Sequence, residues 1–138
     1  MQVPARIKKA YETVKKVRER AYAPYSKFRV GAAVIAKSGK VYFGCNVENA
    51  SYGGAICAER VAFVKAVSEG AIEFSDVIVV TGAQTPAFPC ALCLQTMAEF
   101  LNPDAKIWLG NQRGLKSVYL FSDLLPHPFG PSDLKKTK

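Results

Sequence analysis

Cys57-Ala58-Glu59 and, further along, Pro89-Cys90-Ala91-Leu92-Cys93 set three thiols and one carboxylate in a spacing suited to a metal. Cys90 and Cys93, separated by two residues in a C-x-x-C, can grip one ion together, and Cys57 supplies a third sulfur. Thiolates select zinc, and a zinc with three protein ligands keeps its fourth position for water, whereas a structural zinc is closed by four. Glu59, two residues beyond a ligand, would stand beside the metal without binding it and would shuttle protons. One Zn²⁺ per chain and hydrolytic chemistry are the expectation. Cys45 reads as a small core residue and not a fourth ligand. His127, the only histidine, sits in a Pro-rich tail and reads as solvated. A structural zinc closed by Cys45 or His127 is the competing reading.

Such a site needs elements that bring the ligands together. Pro4 suits the first turn of a helix running to about Arg20, which Ala23-Pro24-Tyr25-Ser26 breaks. Phe28 to Ala36 reads as a buried strand, Lys37 to Lys40 as a turn, and Val41 to Glu48 as the returning strand. A helix from about Cys57 to Ser68 stops at Gly70. Val77 to Thr81 is a buried strand by length and β-branched content. A helix from about Ala91 to Leu101 ends at Asn102-Pro103, and strands follow at Lys106 to Gly110 and Ser117 to Phe121. From Asp123 the chain reads as an irregular tail. Alternating elements of this kind predict one α/β domain over residues 1–138, a three-layer α/β/α fold around a five-stranded mixed sheet. Cys57, Cys90 and Cys93 then lie at helix N-termini, where unpaired N–H groups and the dipole favour thiolates. Three thiolates on Zn²⁺ leave a net negative charge. Arg60, three residues past Cys57 on the same helix face, is the candidate donor to the ligand sulfurs.

Composition narrows the class. The 138 residues are 49% hydrophobic and 22% charged, which suits a packed core and argues against disorder. The start of the chain lacks a signal-peptide core, and no apolar run is long enough to span a bilayer. Cysteines in that context read as ligands and not disulfides, so a cytoplasmic protein is expected. The net charge of +8 concentrates in Arg6, Lys8, Lys9, Lys15, Lys16, Arg18 and Arg20, and in Lys135, Lys136 and Lys138. Ile7, Ala10, Tyr11, Val14 and Val17 form the apolar stripe of an amphipathic helix, so these charges read as its solvated face. No aromatic residues interleave with them, which argues against a nucleic-acid platform.

The two cysteine motifs match the zinc-site signature of nucleobase deaminases. Together with Tyr25-Ser26-Lys27-Phe28-Arg29-Val30-Gly31-Ala32-Ala33, Asn46-Val47-Glu48-Asn49-Ala50-Ser51-Tyr52 and Leu124-Leu125-Pro126-His127-Pro128-Phe129, the chain resembles the small, homotetrameric cytidine deaminases. The resemblance implies zinc-dependent deamination of cytidine and 2′-deoxycytidine to uridine and deoxyuridine, with release of ammonia. It implies that Glu59 is the acid/base, that Asn46 and Glu48 hold the ribose 3′-hydroxyl, and that Phe28 packs on the base. Ala58 belongs to the same substrate site, and Tyr52 and Phe129 complete pockets at subunit boundaries. Two positions depart from the family pattern Pro-Cys-Gly-x-Cys-Arg-Gln: Ala91 replaces glycine and Leu94 replaces arginine, while Gln95 is kept. Leu94 removes a positive charge beside a ligand and leaves more of the burden to Arg60. A deaminase for another aminopyrimidine, a purine or a base within nucleic acid is the second enzyme reading.

Self-association has support outside the resemblance. Ala58, Val61, Ala62, Phe63, Val64, Ala66 and Val67 cover almost the whole circumference of one helix at ~100° per residue. One face must meet the sheet of its own domain, and the other is expected to meet a second copy.

Overall fold

The computed structural model describes residues 1–135; Lys136 and Lys138 of the basic tail lie outside them. Its order is α1 (Ala5–Arg18), β1 (Val30–Ala36), β2 (Val41–Cys45), a single 3₁₀ turn (Tyr52–Gly54), α2 (Ala58–Ser68), β3 (Phe74–Thr81), α3 (Ala91–Phe100), β4 (Leu101–Asn111), β5 (Gly114–Leu120), α4 (Phe121–Leu124) and α5 (Pro131–Lys135). The strands form one sheet in the order β2-β1-β3-β4-β5. β3 and β4 are parallel across the α3 crossover, and the other pairs are antiparallel. This is the three-layer α/β/α fold with a five-stranded mixed sheet that the sequence predicts.

Strand alternation sorts the core into two halves. Ala33, Ile35, Ile78, Val80 and Trp108 face α1 and meet Ile7, Ala10 and Val14. Val34, Ala36, Val77, Val79, Ile107 and Leu109 face the opposite way and meet Ala62, Phe63, Ala66, Cys93 and Met97 of α2 and α3. All five stripe residues of α1 are buried, and the lysines at positions 8, 9 and 16 are exposed. Arg6, also exposed, reaches from that face to donate to Asp76 at 3.0 Å, and Trp108 Nε1 donates to the other carboxylate oxygen at 2.8 Å. Asp76 is buried in a β-branched strand and needs both donors.

Several boundaries move, each for a local reason. β1 begins at Val30 and β2 ends at Cys45, so Phe28 and the segment 46–48 lie off the sheet. Val47 instead bridges Tyr22 and Ile56, drawing the β2 exit toward the start of α2. β4 starts at Leu101 and includes Pro103, tolerated because the register with β3 slips between Phe74 and Asp76. The tail is not wholly irregular, since α4 and α5 form within it. Cys45 is half-buried, not a core residue, because it ends an edge strand.

Gly44 fixes the contact that positions the first ligand. A Cβ there would lie 2.6 Å from Ala62 N and 2.7 Å from Ala58 O, so only glycine lets the first turn of α2 rest on β2. The outer side of α2 is less covered than its composition suggests. Ala58, Glu59, Ala62, Phe63 and Ala66 are buried, whereas Val64 is 58% exposed. Val61 and Val67 are half-buried, so Val64 is the apolar side chain of α2 left exposed among the described residues.

Candidate metal centre and adjoining cavity

Cys57 caps the N-terminus of α2 and Cys90 that of α3, with Cys93 in the first turn of α3. Cys57 Sγ lies 3.7 Å from Cys90 Sγ, and Cys90 Sγ lies 3.6 Å from Cys93 Sγ. Tetrahedral zinc with Zn–S bonds of 2.3 Å requires sulfurs about 3.8 Å apart. The triad therefore has the spacing of a zinc face without rearrangement. It is the one metal-ligating cluster among the described residues, and neither Cys45 nor His127 belongs to it. Three ligands suit a catalytic zinc, which leaves the structural-zinc reading without its fourth.

The charges around the triad are arranged to match. Cys57 is lowered to about 5 by the hydrogen bond from Cys93, helped by Arg60 and Cys90 against the cost of burial. That same hydrogen bond, with burial, holds Cys93 above the usual thiol range. Arg60 Nη2 lies 3.9 Å from Cys57 Sγ and 3.3 Å from Ala55 O. Burial works against the guanidinium charge, but the Cys57 hydrogen bond and the Cys57 and Cys93 charges hold its pKa above the usual value. Its Nε is buried without a partner. An uncommitted buried donor at this position fits the negative charge that three thiolates would leave on zinc.

Glu59 is buried at the second position of α2, and burial raises it to about 7, with the Cys57 charge adding to the effect. It is outside the ligand cluster. A carboxyl poised there can take and return a proton near neutral pH.

A cavity of about 320 Å³ is lined by Tyr25, Ser26, Glu48, Asn49, Tyr52 and Ala55. Ala55 links it to the Arg60 carbonyl contact and hence to the cysteine segment. Glu48 Oε1 accepts from Tyr25 N at 2.9 Å and Ser26 N at 3.1 Å, and Oε2 accepts from the Ser26 hydroxyl. The Ser26 hydroxyl holds the Glu48 carboxyl below its ordinary range, with the two backbone donors assisting. Asn46 is tied down at both ends: Oδ1 accepts from Val30 N and Nδ2 donates to Phe28 O, each at 2.8 Å. Asn46 and Glu48 thus build the loop that carries Phe28, besides any contact with a ligand.

The remaining predicted residues are placed as follows. Phe28 is 43% exposed and free to meet a ligand, against the core role its apolar strand suggested. Tyr52 is largely exposed and packs on Tyr25 with ring centroids 5.9 Å apart. Ala58 has no accessible surface and lies against Gly44. Phe129 is exposed, and its carbonyl accepts from Gln95 Nε2 at 2.8 Å, a tether between α3 and the tail that spacing did not suggest. Ala91 is the first helical residue of α3, where a methyl is accommodated. Leu94 turns its side chain to the core and packs there instead of serving the sulfurs.

Residues 4–108 match the family model described as the cytidine and deoxycytidylate deaminase zinc-binding region. A cytidine deaminase of Sporosarcina psychrophila is 44% identical over 128 residues, covering 93% of this chain and 94% of the relative. One from Halalkalibacterium halodurans is 47% identical over 117 residues, covering 85% and 89%. The crystal structure of a cytidine deaminase from Burkholderia pseudomallei superposes with a TM-score of 0.81 at 46% identity, covering 86% of this chain and 94% of that one. With three cysteine sulfurs at zinc spacing and a buried carboxyl beside them, this chain belongs to the zinc-dependent cytidine deaminase family.

Proposed function

We propose that the enzyme converts cytidine and 2′-deoxycytidine to uridine and deoxyuridine with release of ammonia, a reaction of pyrimidine salvage. The observation that carries this reading is the buried Glu59 carboxyl beside a cluster of three cysteine sulfurs. Zinc, held by Cys57, Cys90 and Cys93, supplies the Lewis acid that makes water nucleophilic near neutral pH. Glu59 accepts one proton of the attacking water and delivers it to N3 of the pyrimidine, so that C4 becomes electrophilic. As the C4–O bond forms, Glu59 accepts the second proton and passes it to the amino group, which leaves as ammonia. The N3 proton stays with the product. Arg60 offsets the charge on the sulfurs. Phe28 packs on the base, and Asn46 and Glu48 receive the sugar, their remaining valences directed to the 3′-hydroxyl. Ala58 underlies the base site.

An ionised Glu48 should repel a phosphate, so nucleosides are the expected substrates. Spectrophotometric assay with cytidine, deoxycytidine, cytosine and dCMP tests this. Both nucleosides should be deaminated far faster than cytosine or dCMP. Faster turnover of dCMP than of deoxycytidine would overturn the sugar-site reading in favour of a related deaminase.

We further propose a homotetramer with active sites shared between subunits. The uncovered face of α2 around Val64, and the exposed Tyr52 and Phe129 rings, support it. Because α2 carries both that face and Cys57, dissociation should reduce activity as well as stability. Light scattering paired with assay is the check, and a fully active monomer would rule out shared sites. Nucleic acid has no place in this reading. No helix is long and apolar enough to cross a membrane among the described residues.

A further inference from the structure

Within the loop beside the cavity, one hydroxyl has both of its hydrogen-bonding roles assigned. Phe28 N donates to Ser26 Oγ at 3.0 Å. The serine has a single proton, and that proton goes to Glu48 Oε2. Lys27, between them, takes a left-handed backbone with φ of 62°, which turns Phe28 back onto Ser26. The hydroxyl therefore joins the carboxylate offered to the sugar to the residue offered to the base.

Glu48 has about four acceptor positions as a carboxylate. Tyr25 N and Ser26 N fill Oε1, and the Ser26 hydroxyl takes one site on Oε2. One acceptor site on Oε2 remains, on a cavity-lining carboxylate held by three donors from two adjoining residues. A ligand group meeting it must donate a hydrogen bond, as a hydroxyl does and a methylene does not.

We propose that Ser26 is a positioning residue that sets sugar specificity, by locking the Glu48 carboxylate so that its last acceptor site selects a substrate bearing a 3′-hydroxyl. This rests on the sugar-site reading above. Removing Oγ frees Oε2 to turn, while the Ser26 and Tyr25 backbone donors still retain the loop.

The test compares zinc-loaded wild type, Ser26→Ala and Ser26→Thr on 2′-deoxycytidine, 2′,3′-dideoxycytidine and cytosine, with zinc content and melting temperature measured for each. Wild type should favour deoxycytidine over dideoxycytidine in kcat/KM. Ser26→Ala should shrink that ratio about tenfold, the scale of one hydrogen bond to a charged group. The change should fall mainly on KM for deoxycytidine, with zinc content near wild type. Ser26→Thr, which keeps the hydroxyl, should restore the ratio. A ratio unchanged in Ser26→Ala, or not restored by Ser26→Thr, overturns the assignment while the sugar-site reading stands. Equal use of the two nucleosides by wild type removes that reading and the proposal with it.

Discussion

Glu59→Ala should retain zinc and fold while losing nearly all deaminase activity. The carboxyl lies outside the sulfur cluster, so its removal leaves the ligands intact. It is also buried and raised to about 7 chiefly by burial, a sign that its ionised form is costly to hold there. Taking it away leaves a small void but also removes an unfavourable charge, so stability should change little. General acid–base groups typically contribute ~10²–10⁴-fold, and a residue that moves two protons in one turnover belongs at or above the top of that range. Glu59→Gln should show a comparable loss, since it preserves shape but cannot take a proton. Initial rates, zinc content and circular dichroism on the two variants decide the matter. Substantial turnover by either, with zinc bound, would sink the proton-shuttle mechanism.

The chemistry of the site was legible because it depends on close spacings. Cys90 and Cys93 share a helix turn, Glu59 follows Cys57 by two residues, and helix starts can be read from Pro89 and the apolar runs behind them. The stripe of α1 was equally plain, since five apolar positions at helical period admit one buried face. What spacing could not show are the contacts made between distant segments. The end of β2 depends on Val47 choosing Tyr22 and Ile56 as partners, residues far apart in the chain. The predicted strand begins at Val77; β3 starts at Phe74 and takes in Asp76, whose partners Arg6 and Trp108 come from two other elements. Asn46 and Glu48 fall in the strand predicted to run to Glu48, but β2 ends at Cys45, and their bonds to the Tyr25–Val30 loop give them a structural task that spacing does not encode. Leu94 reads as a lost charge; that it also packs, half-buried, against the core was not legible from spacing.

Alanine at Cys57, Cys90 or Cys93 should abolish zinc binding and activity together, whereas Cys45→Ala should keep both. The three sulfurs sit within 4.8 Å of one another, and a two-sulfur remnant cannot restore the tetrahedral face. Cys57 carries a further burden. Its pKa is lowered to about 5 through Cys93 and Arg60, so its loss also leaves the guanidinium without its sulfur acceptor. The Cys57 variant should therefore be the least stable of the three. Cys45 is half-buried at the end of an edge strand and lies outside the sulfur cluster. Atomic absorption on the four purified variants, paired with initial rates on deoxycytidine, separates the two classes. Metal loss on removing Cys45, with metal kept on removing Cys90, would replace this centre with a different ligand set and return the structural-zinc reading to contention.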